Sequence, residues 1–226
     1  MGKLVERLWV GGTTSLIGFI AYTSQIFVLW PWYGREFSVQ LLSVLGPFNI
    51  LVGILYWNYF STVHTPPGNT PPGWDAVYEG KRSTSAPRYC RSCKQYKPPR
   101  AHHCRQCNKY VLKLPWVNNC VGHNNYAHFI RFLILVDICC SYHLVMMTSC
   151  VMDIMNRWNY PMSTTQLIIM ILNFTLCIPV LLMVGGFSLY HFYCVATNTT
   201  TIEAWEKDKV ATLIRRGKIR EVRISS

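Results

Sequence analysis

The chain has 226 residues, half of them apolar, with 22 Lys plus Arg against 10 Asp plus Glu and a formal net charge of +12. Only 14% of the residues are charged, against roughly 25% in a soluble domain, and the mean hydropathy is +0.16. An ordinary soluble globule, a disordered chain and a nucleic-acid binder are excluded, because no charge falls in 8–34, 37–74 or 158–202.

A bilayer span needs roughly 20 apolar residues. The pattern predicts four: 8–30, 39–60, 129–155 and 166–194. The first closes on Trp30, Pro31, Trp32 and Tyr33, an interfacial aromatic belt followed by a turn. It is too long for a signal-peptide h-region and no small-residue cleavage site follows it. The fourth contains Pro179 and the pair Gly185-Gly186, which lipid-embedded helices tolerate when neighbours re-satisfy the backbone. Lys81, Arg82, Arg88, Arg91, Lys94, Lys97, Arg100, Arg105, Lys109 and Lys113 crowd the segment after the second span, and seven more basic residues follow Val195. The positive-inside rule therefore puts both termini and the central segment in the cytosol. That basic face suits anionic headgroups or an anionic substrate, and equally serves as a plain topogenic signal.

The expected class is an all-α multi-pass membrane protein, with a cytosolic zinc-binding cysteine-rich domain between the second and third of four transmembrane helices. The expected organisation is 1–60 for the first two spans, 61–88 for a Pro/Gly-rich linker and 89–126 for the cysteine-rich domain. Residues 127–194 carry the last two spans and 195–226 a basic tail. The linker holds Pro66-Pro67-Gly68 and Pro71-Pro72-Gly73, which favour turns and extended backbone. In the next segment Cys90, Cys93, His103, Cys104, Cys107 and Cys120 follow in order. Cytosolic thiols stay reduced, so two Cys-x2-Cys pairs at this spacing read as knuckles for one or two zinc ions. So short a polar segment lacks the apolar material to fold without such a staple. Cys139, Cys140, Cys150 and Cys177 lie in spans and read as small hydrophobes; Cys194, at the end of the fourth, is also a lipidation candidate. Arg131 and Asp137 fall where snorkelling is cheap.

These residues resemble a known family. Cys90-x2-Cys93-x9-His103-Cys104-x2-Cys107, then Pro115-Trp116-Val117-Asn118-Asn119-Cys120-Val121-Gly122 and Asn125-Tyr126, resemble the cysteine-rich domain of DHHC-type protein S-palmitoyltransferases. Thr200-Thr201-Ile202-Glu203 matches that family's TTxE motif, and Pro66-Pro67-Gly68 resembles its Asp-Pro-Gly motif with Pro66 in place of Asp. The tail from Ile202 to Trp205 and the basic stretch behind it look most like fungal endoplasmic-reticulum members. The resemblance implies an integral membrane S-acyltransferase of that organelle. Such an enzyme moves a fatty acyl chain from acyl-CoA, through an acyl-enzyme, to cysteines of client membrane proteins. It implies a chain-holding cavity between the spans, Thr201 and Glu203 bracing the active site from the tail, and no nucleic-acid partner. Trp116, Asn118 and Asn119 are implied as supports of the cysteine-rich domain, and Arg100 and His102 as candidates to face substrate.

The tetrapeptide that names the family is missing. Asp-His-His-Cys should precede Pro-Trp, yet Leu114 runs directly into Pro115. Nucleophile, base and orienting acid go together, and no catalytic residue is present. Two zinc ligand sets are implied, each one short. Cys90, Cys93 and His103 lack a fourth because Tyr110 stands where the family has cysteine. Cys104, Cys107 and Cys120 lack the tetrapeptide's histidine. His102 and His123 are candidates to complete a site. Cys120 is a poor substitute nucleophile, being a ligand without a paired acid. Family members often carry a longer tail than one ending at Ser226. The expectation is an acyltransferase architecture that is inert as written. The alternatives are a non-catalytic scaffold of the same fold that binds lipid, acyl-CoA or clients, and a four-span channel, which the uncharged fourth span disfavours.

Overall fold

The computed structural model describes residues 2–68, 89–90, 95–96, 103–104, 109–110, 112–114, 117–157, 161–199 and 201–217; side chains of 2–6, 89–114 and 201–207 lie outside the description. Among the described residues, four helical segments are long and apolar enough to cross a membrane: Arg7–Trp32, Val39–His64, Tyr126–Asn156 and Thr164–Ala196. We number the α-helices α1 (Gly2–Gly18), α2 (Trp30–Trp32), α3 (Val39–His64), α4 (Tyr126–Asn156), α5 (Thr164–Ala196) and α6 (Thr201–Arg215). The chain is an all-α integral membrane protein with short strands between its second and third spans.

Helix ends follow side-chain chemistry. Ser38 caps α3 by accepting the Leu41 N–H at 3.1 Å. Ser163 and Gln166 form a reciprocal capping box at α5, which therefore begins at Thr164, ahead of the apolar run. The first span does not stop at Trp30 but carries its helix through Trp32 before turning. It is also not uniformly α-helical, because Phe19–Thr23 and Gln25–Leu29 widen into π-helix. The cause lies in Thr23, Ser24 and Gln25, whose side chains donate to the carbonyls of Phe19, Ile20 and Ala21 and compete with the helical ladder.

Contact clustering divides the chain into two units, 1–67 with 113–188 and 68–112 with 189–226. In the first, a buried cluster including Leu29, Phe48, Tyr59, Phe129, Met147 and Cys177 joins all four spans. Polar contacts fix their rotation. The Tyr56 hydroxyl donates to the Thr14 carbonyl at 3.1 Å, with Gly18 giving it room. The amides of Gln25 and Asn49 bond reciprocally at 2.9 and 3.1 Å, and the Asn173 amide donates to the Thr23 hydroxyl at 3.1 Å. Trp32 donates its indole N–H to Asp153 at 2.7 Å. α3 runs unbroken through Pro47, and nearby carbonyls are served by side chains: Tyr142 reaches Val44 and Asn49 reaches Leu45. Side chains such as Trp57, Ile50, Val145 and Leu182 face outward, as lipid requires.

In the second unit, β1 (Tyr89–Cys90) pairs antiparallel with β2 (Gln95–Tyr96), and β3 (His103–Cys104) with β4 (Lys109–Tyr110). Residues 201–215 form α6.

Candidate functional site

The two hairpins are built alike. Cys90 pairs with Gln95 and Cys104 with Lys109, so each cysteine ends its first strand and four residues connect to the next. Cys93 and Cys107 fall in those connections, outside the described residues. Paired strands four residues apart, each with a Cys-x2-Cys spacing, are compatible in donor chemistry with a zinc knuckle, though each ligand set is one residue short of four. Among the described residues, no group of three potential ligands stands together. His103 is the partner of Tyr110 in the β3–β4 register, which puts the residue occupying the missing ligand's place on the neighbouring strand. Thr201 and Glu203 lie in the first turn of α6, as a helix start suggests, and their side chains are outside the description. Arg100 and His102 are outside it too.

Cys120 sits on β6 (Asn119–Val121), which pairs with β5 (Leu112–Leu114). Leu114 is the last residue of β5, so the tetrapeptide's place is the end of a strand. Just before β6, Asn118 has φ of 47°, a left-handed conformation asparagine tolerates. Cys120 is buried and His123 is exposed.

β6 is fastened to the end of the second span. The last carbonyls of a helix lack intrahelical partners. The Asn119 side-chain amide donates to the carbonyls of Thr62, Val63 and Thr65 at 3.0, 3.1 and 2.7 Å. Asn125, fully buried, donates to Thr65 at 3.1 Å and Cys120 at 2.9 Å, and its oxygen accepts the Gly122 N–H at 2.8 Å. The backbone N–H of Asn124 reaches the Pro67 carbonyl at 3.3 Å, and Gly68 follows with φ of 95°, accessible to glycine at little cost. Asn119 is thus a support, as its motif implies. The linking role of Asn125 was not visible in sequence; its signal was a helix ending in Thr62-Val63-His64-Thr65 whose carbonyls needed donors.

Between the four spans lies a chamber of about 400 Å³. Thr13, Tyr59, Phe132 and Phe187 stand at the end where α3 stops and α4 starts. Ala21, Phe48, Val180 and His143 stand at the other. The Thr23–Asn173 pair lies further along the same helices, and Asn49 of the Gln25–Asn49 pair is the sequence neighbour of Phe48 at that end. The wall is almost wholly apolar, and Cys139 and Cys140 belong to it. These two thiols pack as small hydrophobes, and Cys177 donates to the Cys140 carbonyl at 3.7 Å. Asp137 is not a freely snorkelling carboxylate. Its Oδ1 is buried, without a hydrogen-bond partner among the described residues. A cavity of this kind admits a flexible apolar chain and little else.

Comparison with known proteins gives a match over residues 83–208 to the family described as DHHC palmitoyltransferase. The chain belongs to the DHHC palmitoyltransferase family. It is 43% identical to Palmitoyltransferase PFA4 of Mycosarcoma maydis, over 96% of this chain and 52% of the relative. It is 35% identical to Probable protein S-acyltransferase 13 of Arabidopsis thaliana, over 93% of this chain and 76% of that protein. Palmitoyltransferase PFA4 of Yarrowia lipolytica is 33% identical over 77% of this chain and 52% of its own length. The chain thus spans about half the length of the two fungal relatives. The first alignment runs over 252 positions, more than the chain's 226 residues, so that relative carries residues which this chain lacks.

Proposed function

We propose that this chain has the architecture of a protein S-acyltransferase that uses acyl-CoA, with the fatty chain held in the chamber between the four spans. We further propose that the sequence as written holds the acyl donor without transferring it. The observation that carries the first part is the chamber itself, apolar and bounded by every span of a chain in this family. The second part rests on the covalent junction of Leu114 to Pro115 at the end of β5. In the family's chemistry a cysteine thiolate attacks the acyl-CoA thioester, a histidine takes its proton, and the acyl group passes on to a client cysteine. Here the chamber walls sheath the chain, and Asn119 and Asn125 set the position of the strand end. Pro115 and Trp116 follow Leu114 directly, where the family has its thiolate and imidazole.

Zinc ions would be held by Cys90, Cys93 and His103 and by Cys104, Cys107 and Cys120, supplying a structural staple to the hairpins. Thr201 and Glu203, by their likeness to the family's TTxE motif, would support the active site. The distribution of basic residues supports a cytosolic position for the cysteine-rich domain and both termini. The likeness to fungal members suggests the endoplasmic reticulum, with cysteine-bearing membrane proteins as clients and no nucleic acid.

The test is acyl labelling of the full chain with a clickable fatty acyl-CoA, read before and after hydroxylamine. The expected result is no hydroxylamine-sensitive label between Cys90 and Cys120, and its appearance once Asp-His-His-Cys is inserted between Leu114 and Pro115. A label there on the unaltered chain refutes inertness. An inserted form that binds zinc and acyl-CoA yet never labels refutes the acyltransferase architecture.

A further inference from the structure

His143 is the anomaly of the chamber. Its side chain lines the far end and is 1% exposed. Neither Nδ1 nor Nε2 has a hydrogen-bond partner among the described residues. Its ring lies 6.2 Å from that of Phe48, and Ala21, Cys139, Cys140 and Val180 line the same chamber. A buried polar group without a partner is costly, and such groups in folded proteins are nearly always satisfied. An imidazole carries at least one N–H donor whichever tautomer it adopts. The chamber therefore ends in a hydrogen-bonding group facing an apolar space, where packing alone would call for leucine or phenylalanine.

The distance fits a chain terminus. From Phe132 to His143 α4 advances eleven residues, roughly 16 Å at about 1.5 Å per residue. A carbon chain with bonds near 1.5 Å advances about 1.25 Å per carbon, so the chamber's length takes roughly 13 carbons. A 16-carbon acyl group whose thioester stands just outside the near end then brings its last carbon to His143.

We propose that His143 makes the far end of the chamber a subsite for a hydroxyl group at the distal end of the acyl chain, so that ω-hydroxylated long-chain acyl groups are preferred to unmodified ones. This rests on the reading of the chamber as the acyl site. A hydroxyl both donates and accepts, so it suits either tautomer; the Thr13 and Tyr59 hydroxyls stand at the opposite end of the chamber, and the Cys139 and Cys140 thiols are weaker hydrogen-bonding groups than the imidazole. A carboxylate at the same place is disfavoured by desolvation.

The experiment uses the full chain in lipid nanodiscs and displacement of a fluorescent acyl-CoA by hexadecanoyl-CoA and 16-hydroxyhexadecanoyl-CoA. The expected result is that the hydroxylated form binds about tenfold more tightly. His143→Phe should abolish that preference and His143→Gln, which keeps a donor and an acceptor, should retain part of it. Equal affinities on the unaltered chain overturn the subsite while leaving the chamber reading intact. That outcome means the imidazole is served by water. Binding of neither acyl-CoA overturns the chamber reading and the subsite with it. The comparison on the unaltered chain decides the matter even where His143→Phe fails to fold.

Discussion

Asn119→Asp is the most direct probe of how the strand end is held. The substitution changes one nitrogen to oxygen with almost no change in shape. The Asn119 amide shares two hydrogens among three carbonyls at 2.7 to 3.1 Å. The bonds are partly buried, so each donation lost costs toward the lower end of about 1–3 kcal/mol, together about 2–3 kcal/mol. The new carboxylate also faces the negative end of the α3 dipole, which adds to the cost. The oxygen that accepts the Cys120 N–H at 2.9 Å survives, so local backbone order is not the variable. At 1.4 kcal/mol per decade the segment around β6 should open roughly 30- to 150-fold more often. Hydrogen exchange of peptides covering 117–126, in nanodiscs, reads this opening. Peptides in the first half of α5 serve as the unaffected reference. A change below about threefold would falsify the clasp, because the three carbonyls would then be served by water at no loss.

Ala21→Phe should shorten the acyl chains that bind. A phenyl ring reaches roughly 5 Å beyond Cβ with bonds near 1.5 Å, equivalent to about four carbons at the chamber's far end, where Ala21 is buried. Displacement assays should show loss of 16-carbon acyl-CoA with 12-carbon binding kept; an unchanged chain-length profile counts against the chamber. Zinc measured by atomic emission should rise by about one ion per chain when the tetrapeptide is inserted, since its histidine completes a set of four; no rise removes the proposed ligand set of Cys104, Cys107 and Cys120. At Gly18 an added Cβ would stand 3.2 Å from the Tyr56 hydroxyl, which bonds Thr14. A double-mutant cycle of Gly18→Ala with Tyr56→Phe, read by thermal unfolding, should show coupling of about 1 kcal/mol, and additive effects would contradict the contact.

The four spans were legible because the requirement they meet is itself compositional. A stretch such as 166–194 carries no charge, and no arrangement of neighbours alters that. The hairpins were legible as cysteine pairs because two Cys-x2-Cys spacings are local patterns that sequence shows directly. The widened turns in the first span were not, although Thr23-Ser24-Gln25 inside an apolar run was a visible sign of carbonyl competition. Asn125 is a motif residue, but its bond to Thr65 joins positions 60 residues apart in sequence, and no local pattern reports such a pairing. The chamber and the place of His143 depend on how each helix is rotated about its axis. The Gln25–Asn49, Tyr56–Thr14 and Tyr142–Val44 contacts set that rotation, and each requires two spans at once.

Met183 lines the chamber and yet is 69% exposed on the outer face of the fourth span. The compartment therefore has a side window on the bilayer. Lipid tails are as apolar as its walls, so a fatty chain passing through that window gains nothing from leaving water. Occupancy becomes a contest against the tails of the surrounding leaflet, decided by shape and by any polar contact at the far end. Bilayer composition then acts as a competing ligand. Thicker, more ordered membranes should loosen or tighten acyl-donor retention without touching a single residue of the protein.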